Sequence, residues 1–115
     1  MTAGAYDITA EQGAAFAMRA TYKDSNAAAV DLTGYTARMQ VRKSVASATV
    51  ILELTTSNSR ITLGGSAGTV DLAVTAADMA AISAGVYVYD LELVNDSAVT
   101  RLIQGAFTVS AEVTR

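Results

Sequence analysis

The strand signature of this chain is clearest in Val86-Tyr87-Val88-Tyr89-Asp90-Leu91-Glu92-Leu93-Val94. Every second residue from Tyr87 to Leu93 is large and apolar, and two carboxylates lie between them. Such alternation predicts a strand with one buried face and one solvent face. Asn95-Asp96-Ser97 supplies turn residues, and a second extended run follows from Val99 to Val109. The two runs therefore predict a β-hairpin.

The same period of two recurs along the rest of the chain. It marks further strands at Phe16 to Tyr22, Tyr35 to Arg42, Thr49 to Thr55, Ile61 to Leu63 and Val70 to Val74, with a short extended piece at Val30 to Leu32. About seven short strands at this spacing predict an all-β, antiparallel β-sandwich in one domain spanning residues 1–115. The alternating faces predict core positions at Met39, Leu72, Tyr89, Leu91 and Phe107.

One segment departs from the strand pattern. Thr75 precedes a short run in which Met79 and Ile82 lie about one helical turn apart. The Thr75 hydroxyl is a typical helix cap, and Asp78 follows three residues later. This predicts a single short helical turn before Gly85.

Composition excludes several classes of chemistry. The 115 residues contain no cysteine, histidine, proline or tryptophan, so zinc ligation by Cys or His, a thiol nucleophile and a serine–histidine pair are all excluded. A net charge of −3 argues against nucleic acid as the main partner. No apolar run approaches the ~20 residues that cross a bilayer. We therefore expect no enzyme activity, no cofactor, no metal, no small-molecule substrate and no membrane partner.

Three polar segments could carry chemistry, and each has a simpler explanation. Asp90 and Glu92 share a strand face and could act as an acid–base pair or contribute to a calcium site, but alternation already explains both as solvent-face residues. Lys23-Asp24-Ser25-Asn26 could bind a cation, yet it has turn chemistry and lacks the spacing of a calcium loop. Gly64-Gly65-Ser66-Ala67-Gly68 could cradle a phosphate, yet no Lys-Ser/Thr follows it.

The basic residues suggest partner contacts. Arg38 and Arg42 share one strand face, about 13 Å apart, and either form a solvated face or contact an acidic partner surface. We expect charged partner contacts from Arg38, Arg42 and the terminal Arg115. The tyrosines could stack on sugars, but Tyr87 and Tyr89 fall on the predicted core face.

Several motifs together resemble a known family. They are Asp31-Leu32-Thr33-Gly34 before the strand that ends at Arg42, Ala84-Gly85-Val86-Tyr87, and Gln104-Gly105-Ala106-Phe107-Thr108-Val109. This pattern resembles small tailed-phage virion proteins and is similar to the immunoglobulin-like N-terminal domain of phage upper baseplate proteins. In that family the domain anchors a receptor-binding appendage to the tail. The resemblance implies an immunoglobulin-like sandwich, no catalytic residues and multi-copy, symmetric assembly with other phage structural proteins.

These observations lead to a functional expectation. We expect a non-enzymatic bacteriophage virion protein, made in the host cytoplasm, that serves as a tail-tip, baseplate or tail-fibre adaptor. A capsid decoration (cement) protein and a carbohydrate-binding module contacting the host surface are the alternatives. Terminal arms at about residues 1–5 and 110–115 are expected to dock on neighbours. The long strands Tyr35 to Arg42 and Val86 to Val94 are expected to offer edges or faces to partners.

Overall fold

The computed structural model describes residues 4–113, which form two β-sheets around one apolar core. The strands are β1 (Gly4–Ala5), β2 (Ile8–Glu11), β3 (Phe16–Thr21), β4 (Thr36–Arg42), β5 (Leu52–Thr55), β6 (Ile61–Leu63), β7 (Thr69–Val74), β8 (Gly85–Asn95) and β9 (Ala98–Ser110). A short helix, α1 (Ala76–Ala80), and a 3₁₀ turn (Gly65–Ala67) connect strands. The predicted all-β sandwich is confirmed.

The order of the strands within the two sheets matches the immunoglobulin order. One sheet runs β5-β4-β8-β9 and is completed by β1 and β2, which both pair with β9, and the other runs β3-β7-β6. This is the order of strands C′, C, F and G facing strands B, E and D in the immunoglobulin fold. The predicted hairpin is confirmed as β8 and β9, which pair from Gly85 opposite Val109 to Asn95 opposite Ala98.

The first two strands differ from the prediction of a wholly antiparallel sandwich. Both β1 and β2 run parallel to β9, with Gly4 opposite Ile103 and Ile8 opposite Phe107. Only Ile8 and Ala10 of this segment point into the core. Strands of two and four residues show too little alternation for the sequence pattern to reveal them.

The core contains the five residues that alternation placed there. Met39, Leu72, Leu91 and Phe107 are at most 1% exposed, and Tyr89 is 4% exposed. The Phe107 ring packs edge to face on Phe16 from the opposite sheet, with 5.6 Å between the ring centroids. It also packs edge to face on Tyr89, with 6.3 Å between the centroids. Phe107 therefore joins the two sheets at the centre of the core.

The Ala84-Gly85-Val86-Tyr87 motif has a structural role. The Tyr87 side chain is buried at the start of β8, and its hydroxyl donates a hydrogen bond of 2.5 Å to the carbonyl oxygen of Ser83. A tyrosine that bonds back to the backbone at the entry to strand F is the tyrosine corner of immunoglobulin-like sandwiches. The motif therefore fixes the path of the chain from α1 into the longest hairpin.

The Asp31-Leu32-Thr33-Gly34 motif forms a turn. The Asp31 Oδ1 atom accepts hydrogen bonds from the backbone nitrogen and the hydroxyl of Thr33, at 2.9 and 2.6 Å. Leu32 is 1% exposed and Gly34 has a φ of +84°. The short extended piece predicted at residues 30–32 is not part of either sheet: it buries the side chain of Leu32 and turns at Gly34 before β4 begins.

The predicted helical turn is confirmed as α1. The Thr75 hydroxyl accepts a hydrogen bond from the backbone nitrogen of Asp78 at 3.2 Å, as a helix cap does. Met79 and Ile82 are both buried beneath it. Among the described residues, no helix has the length and apolar character needed to span a bilayer.

Candidate interaction surface

The solvent side of the six-stranded sheet carries most of the paired charges of the described chain. We call it the polar face. It consists of Arg38, Gln40 and Arg42 from β4, Glu53 from β5, Asp90 and Glu92 from β8, and Arg101 and Gln104 from β9. The strand register places these side chains in adjacent rows because alternate residues of neighbouring strands share a face.

Glu92 lies between two arginines at the centre of this face. Its Oε1 atom accepts a hydrogen bond of 2.8 Å from Arg38 Nε, and its Oε2 atom is 4.0 Å from Arg101 Nη2. Arg101 also approaches Asp90, with 3.4 Å between Nε and Oδ2. Both carboxylates therefore have cationic partners on the solvent face, which confirms the explanation that alternation gave for them.

Arg42 holds a loop against the same face. Its Nη1 atom donates to the carbonyl oxygen of Ser47 at 2.6 Å, and its Nη2 atom donates to Gln40 Oε1 at 2.7 Å. The Gln40 amide in turn donates to Glu53 Oε2 at 3.0 Å. Arg42 therefore ties the connection between β4 and β5 to the sheet, and it reaches a partner only by exchanging these bonds.

The structure brings Arg38 and Arg42 onto one surface but gives each of them a partner within the chain. Arg115 lies outside the described residues. Contacts from these three arginines to a neighbouring subunit stay a prediction. Of the predicted terminal arms, Gly4 and Ala5 pair with β9 as β1, and Ser110 is the last residue of β9.

Arg101 is the member of the polar face that sequence reasoning missed. A strict period of two counted back from the buried Phe107 places residue 101 on the core side. The register between β8 and β9 shifts by one residue beside Leu91 and Glu92, so Leu91 faces Ile103 while Glu92 faces Arg101. This β-bulge turns Arg101 outward. An arginine at a core-side position was the available signal for the bulge.

The carboxyl groups with shifted pKa values are held in their ionised form. The hydrogen bond from the Thr33 hydroxyl lowers the pKa of Asp31, and the hydrogen bond from Arg19 lowers the pKa of Asp71. Arg60 and then Thr75 lower the pKa of Asp78 in the same way. Each of these shifts points away from a group that donates a proton near neutral pH. Within residues 4–113, no three acidic side chains gather closely enough to hold a metal ion.

The polar face contains two small clefts. One has a volume of about 210 Å³ and is lined by Arg42, Arg101, Gln104 and their neighbours, and the other has a volume of about 260 Å³ and is lined by Arg38, Gln40, Asp90 and Glu92. Pockets that bury a small-molecule ligand usually enclose about 300–1,000 Å³ with mainly apolar walls. The polar lining groups here also bond to one another. Both clefts therefore have the character of grooves between surface side chains.

The other polar segments form turns. In the Lys23 to Asn26 segment, Asp24 Oδ1 accepts from the backbone nitrogens of Asn26 and Ala28 at 2.9 and 3.1 Å, so the carboxylate caps its own loop. The glycines from Gly64 to Gly68 surround the 3₁₀ turn. Of the five tyrosines, only Tyr6 is exposed, at 52%, so no exposed tyrosine cluster exists.

The strand edges differ from the expectation. The long strands β4 and β8 are interior strands, because β4 pairs with β5 and β8 while β8 pairs with β4 and β9. The expectation that they offer edges is wrong, and only their faces are available. In the other sheet, β3 and β6 are the edges.

Comparison with known proteins adds no relative to this picture. No protein-family model and no curated protein matches the sequence. The resemblance to phage baseplate domains therefore stays a prediction from the sequence motifs.

Proposed function

We propose that this protein is a non-enzymatic structural subunit of a tailed-phage virion that assembles by protein–protein contacts. The observation that carries the proposal is the separation of its side chains into two classes. Every fully buried side chain among the described residues is apolar, and Arg38, Asp90, Glu92 and Arg101 of the polar face are paired with one another at the surface. Such a domain offers a rigid shape with little reactive chemistry, which suits repeated assembly.

A position in the tail is favoured over one on the head. The motifs that carry the resemblance to upper baseplate domains occupy the two connections that shape the sandwich, at Leu32 and at Tyr87. The alternatives are a capsid decoration protein and a module that binds glycans on the host surface. Glycan binding would require exposed rings for stacking, and most of the tyrosine surface is directed inward.

Location within purified particles tests this proposal directly. Immunogold labelling with an antibody against the chain should mark the tail tip or fibre attachment point. Labelling on the head would replace the tail assignment with capsid decoration. If the protein is absent from particles that its own phage produces, the virion proposal is wrong.

Truncation tests the attachment role of the termini. Removing residues 1–3 or 111–115 leaves all described strands intact, so folding should be retained. We expect fewer copies per particle, measured by quantitative mass spectrometry against the major capsid protein. Val45→Ala is a matched control, because Val45 lies in a loop and is 91% exposed. This variant should be incorporated into particles at the wild-type copy number. Wild-type copy number for both truncations would exclude the termini as the attachment device.

A further inference from the structure

The outer edge of β3 is the longest strand edge that the described chain leaves uncovered. β3 has six residues, whereas the other terminal strands, β1, β2, β5 and β6, have two, four, four and three. In the immunoglobulin order, strand A lies beside strand B, the equivalent of β3. Here the N-terminal segment pairs with β9 instead. The edge that a first strand would cover is therefore open.

The hydrogen-bond pattern identifies which backbone groups face outward. The backbone nitrogen of Ala73 in β7 donates to Arg60 on the β6 side at 2.9 Å, and Gly64 donates to Thr69 on that same side at 2.8 Å. The backbone N–H and C=O groups of the odd-numbered residues of β7 therefore point toward β6, and those of the even-numbered residues point toward β3. Their partners in β3 are Phe16, Met18 and Ala20.

The alternate residues of β3 direct their backbone groups away from the sheet. These are Ala17, Arg19 and Thr21, which present three N–H donors and three C=O acceptors along one line. The side chains of all three are exposed on the outer face. A row of unpaired donors and acceptors is a template for another strand.

The usual protections of a strand edge are missing from β3. The strand contains no proline and no lysine, and its register with β7 runs without a bulge. Its one charge belongs to Arg19, whose Nε and Nη2 atoms bind both carboxylate oxygens of Asp71 at 2.6 and 3.1 Å. That bidentate pair directs the guanidinium toward β7. The edge itself carries no repulsive group.

We infer that β3 pairs antiparallel with β3 of a second copy, about a two-fold axis at Met18. In this register the outward-facing Ala17 bonds with Arg19 of the other copy, giving about four new backbone hydrogen bonds across the axis. Each arginine then faces a small alanine while its charge is matched by Asp71 of its own chain. On the core side, Met18 meets Met18 of the other copy and Phe16 faces Ala20.

The side chains favour this register and this occupant. A shift that centres the pair on Arg19 would place arginine opposite arginine, which is destabilising. Centring on Met18 instead places Phe16 opposite the small Ala20 on either side of a central pair of flexible methionines. The strand is thus complementary to itself, and the expected product is one continuous six-stranded sheet shared by two copies. This pairing is independent of where the protein acts, so its failure would leave the virion proposal standing.

Oligomeric state gives the first test. Light scattering after gel filtration at about 100 µM should give a mass near twice the 11.8 kDa of one chain. Ala17→Pro removes an outward N–H that has no partner among residues 4–113 and should yield a monomer. Ala17→Val keeps the N–H and should remain a dimer. A monomeric wild-type protein at this concentration overturns the inference and leaves the edge for a strand of a different protein.

Cross-linking tests the register and covers the case in which Ala17→Pro fails to fold. The chain has no cysteine, so one introduced thiol reports one contact. Residues at a non-hydrogen-bonded antiparallel position have Cα atoms about 4.5 Å apart, within the range that a disulfide spans. Met18→Cys should therefore give a disulfide-linked dimer on mild oxidation. Ala73→Cys, on β7 away from the edge, is the matched control and should migrate as a monomer in non-reducing denaturing electrophoresis. Equal cross-linking of the two variants would contradict the pairing.

Discussion

Gly105 offers a direct test of how the N-terminal strands are held on the sandwich. It lies on β9 opposite Tyr89, between the positions that pair with β1 and β2. A Cβ atom at this position would lie 2.4 Å from the Tyr6 carbonyl oxygen and 2.8 Å from Asp7 Oδ1. Carbon and oxygen atoms do not approach this closely, so Gly105→Ala must displace the N-terminal segment from β9.

The cost follows from the hydrogen bonds that this displacement breaks. The Tyr6 nitrogen donates to the Gln104 carbonyl at 2.9 Å, and the Ala106 nitrogen donates to Asp7 Oδ1 at 3.0 Å. The Tyr89 hydroxyl donates to the Tyr6 carbonyl at 2.5 Å. At about 0.5–1.5 kcal/mol for each of the three bonds, we expect Gly105→Ala to lower the free energy of unfolding by about 1.5–4.5 kcal/mol.

Urea unfolding followed by circular dichroism measures this loss. Gly4→Ala is the matched control, because its Cβ would meet Ile103 and Leu102 only at ordinary distances of 3.6 and 3.7 Å. It should change stability by less than about 0.5 kcal/mol. Amide hydrogen exchange should show lost protection in residues 4–11 of Gly105→Ala. A stability equal to that of Gly4→Ala would refute the close packing of this segment on β9.

Three further substitutions and conditions test the core and the tyrosines. Leu91→Ala, at a fully buried position, should cost about 2–5 kcal/mol in urea unfolding, whereas Val86→Ala, at a side chain that is 68% exposed, should cost less than about 0.5 kcal/mol. Tyr87→Phe removes the donor to Ser83 and should cost about 0.5–1.5 kcal/mol in thermal unfolding, and an unchanged melting temperature would contradict the corner's role. Burial raises the pKa of Tyr89 from 10.0 to about 12, so the folded state keeps a proton that the unfolded state releases. The contribution of the neutral Tyr89 hydroxyl to the free energy of unfolding should therefore be fully present below pH 10 and be lost as the pH rises from 10 to 12. A free energy of unfolding that stays constant over that window would argue against burial of the Tyr89 hydroxyl.

The alternating segments could be predicted from sequence because a single physical cause determines them. Where one face of a strand is buried, as at Met39 or Leu91, polar and apolar residues must alternate, and both were found in the core. The helical turn at Thr75 was predictable for a similar local reason, since its capping hydroxyl bonds only three residues away. Local chemistry and periodicity thus account for most of the elements.

The features that were missed depend on non-local arrangement. The parallel pairing of Ile8 with Phe107 joins segments at opposite ends of the chain, and neither segment contains a local sequence signal that identifies the other as its partner. The outward direction of Arg101 follows from an extra residue in β9, which a strict period of two cannot contain. Leu32 is buried from a turn, so its burial leaves no periodic trace.

The same distinction decides where this protein should meet its partners. The sequence predicts a partner contact at Arg38 because this residue is charged. In the fold Arg38 is paired with Glu92, so a charged contact with a partner forms only after that bond is broken. The edge of β3 carries no such cost, because the outward groups of Ala17, Arg19 and Thr21 bond to no other strand in the described part of the chain. These are backbone groups, which every residue has, and only the position of the strand in the sheet makes them available. Contact through this edge, with the ionic side chains left in their own pairs, is therefore the form of assembly that this structure favours.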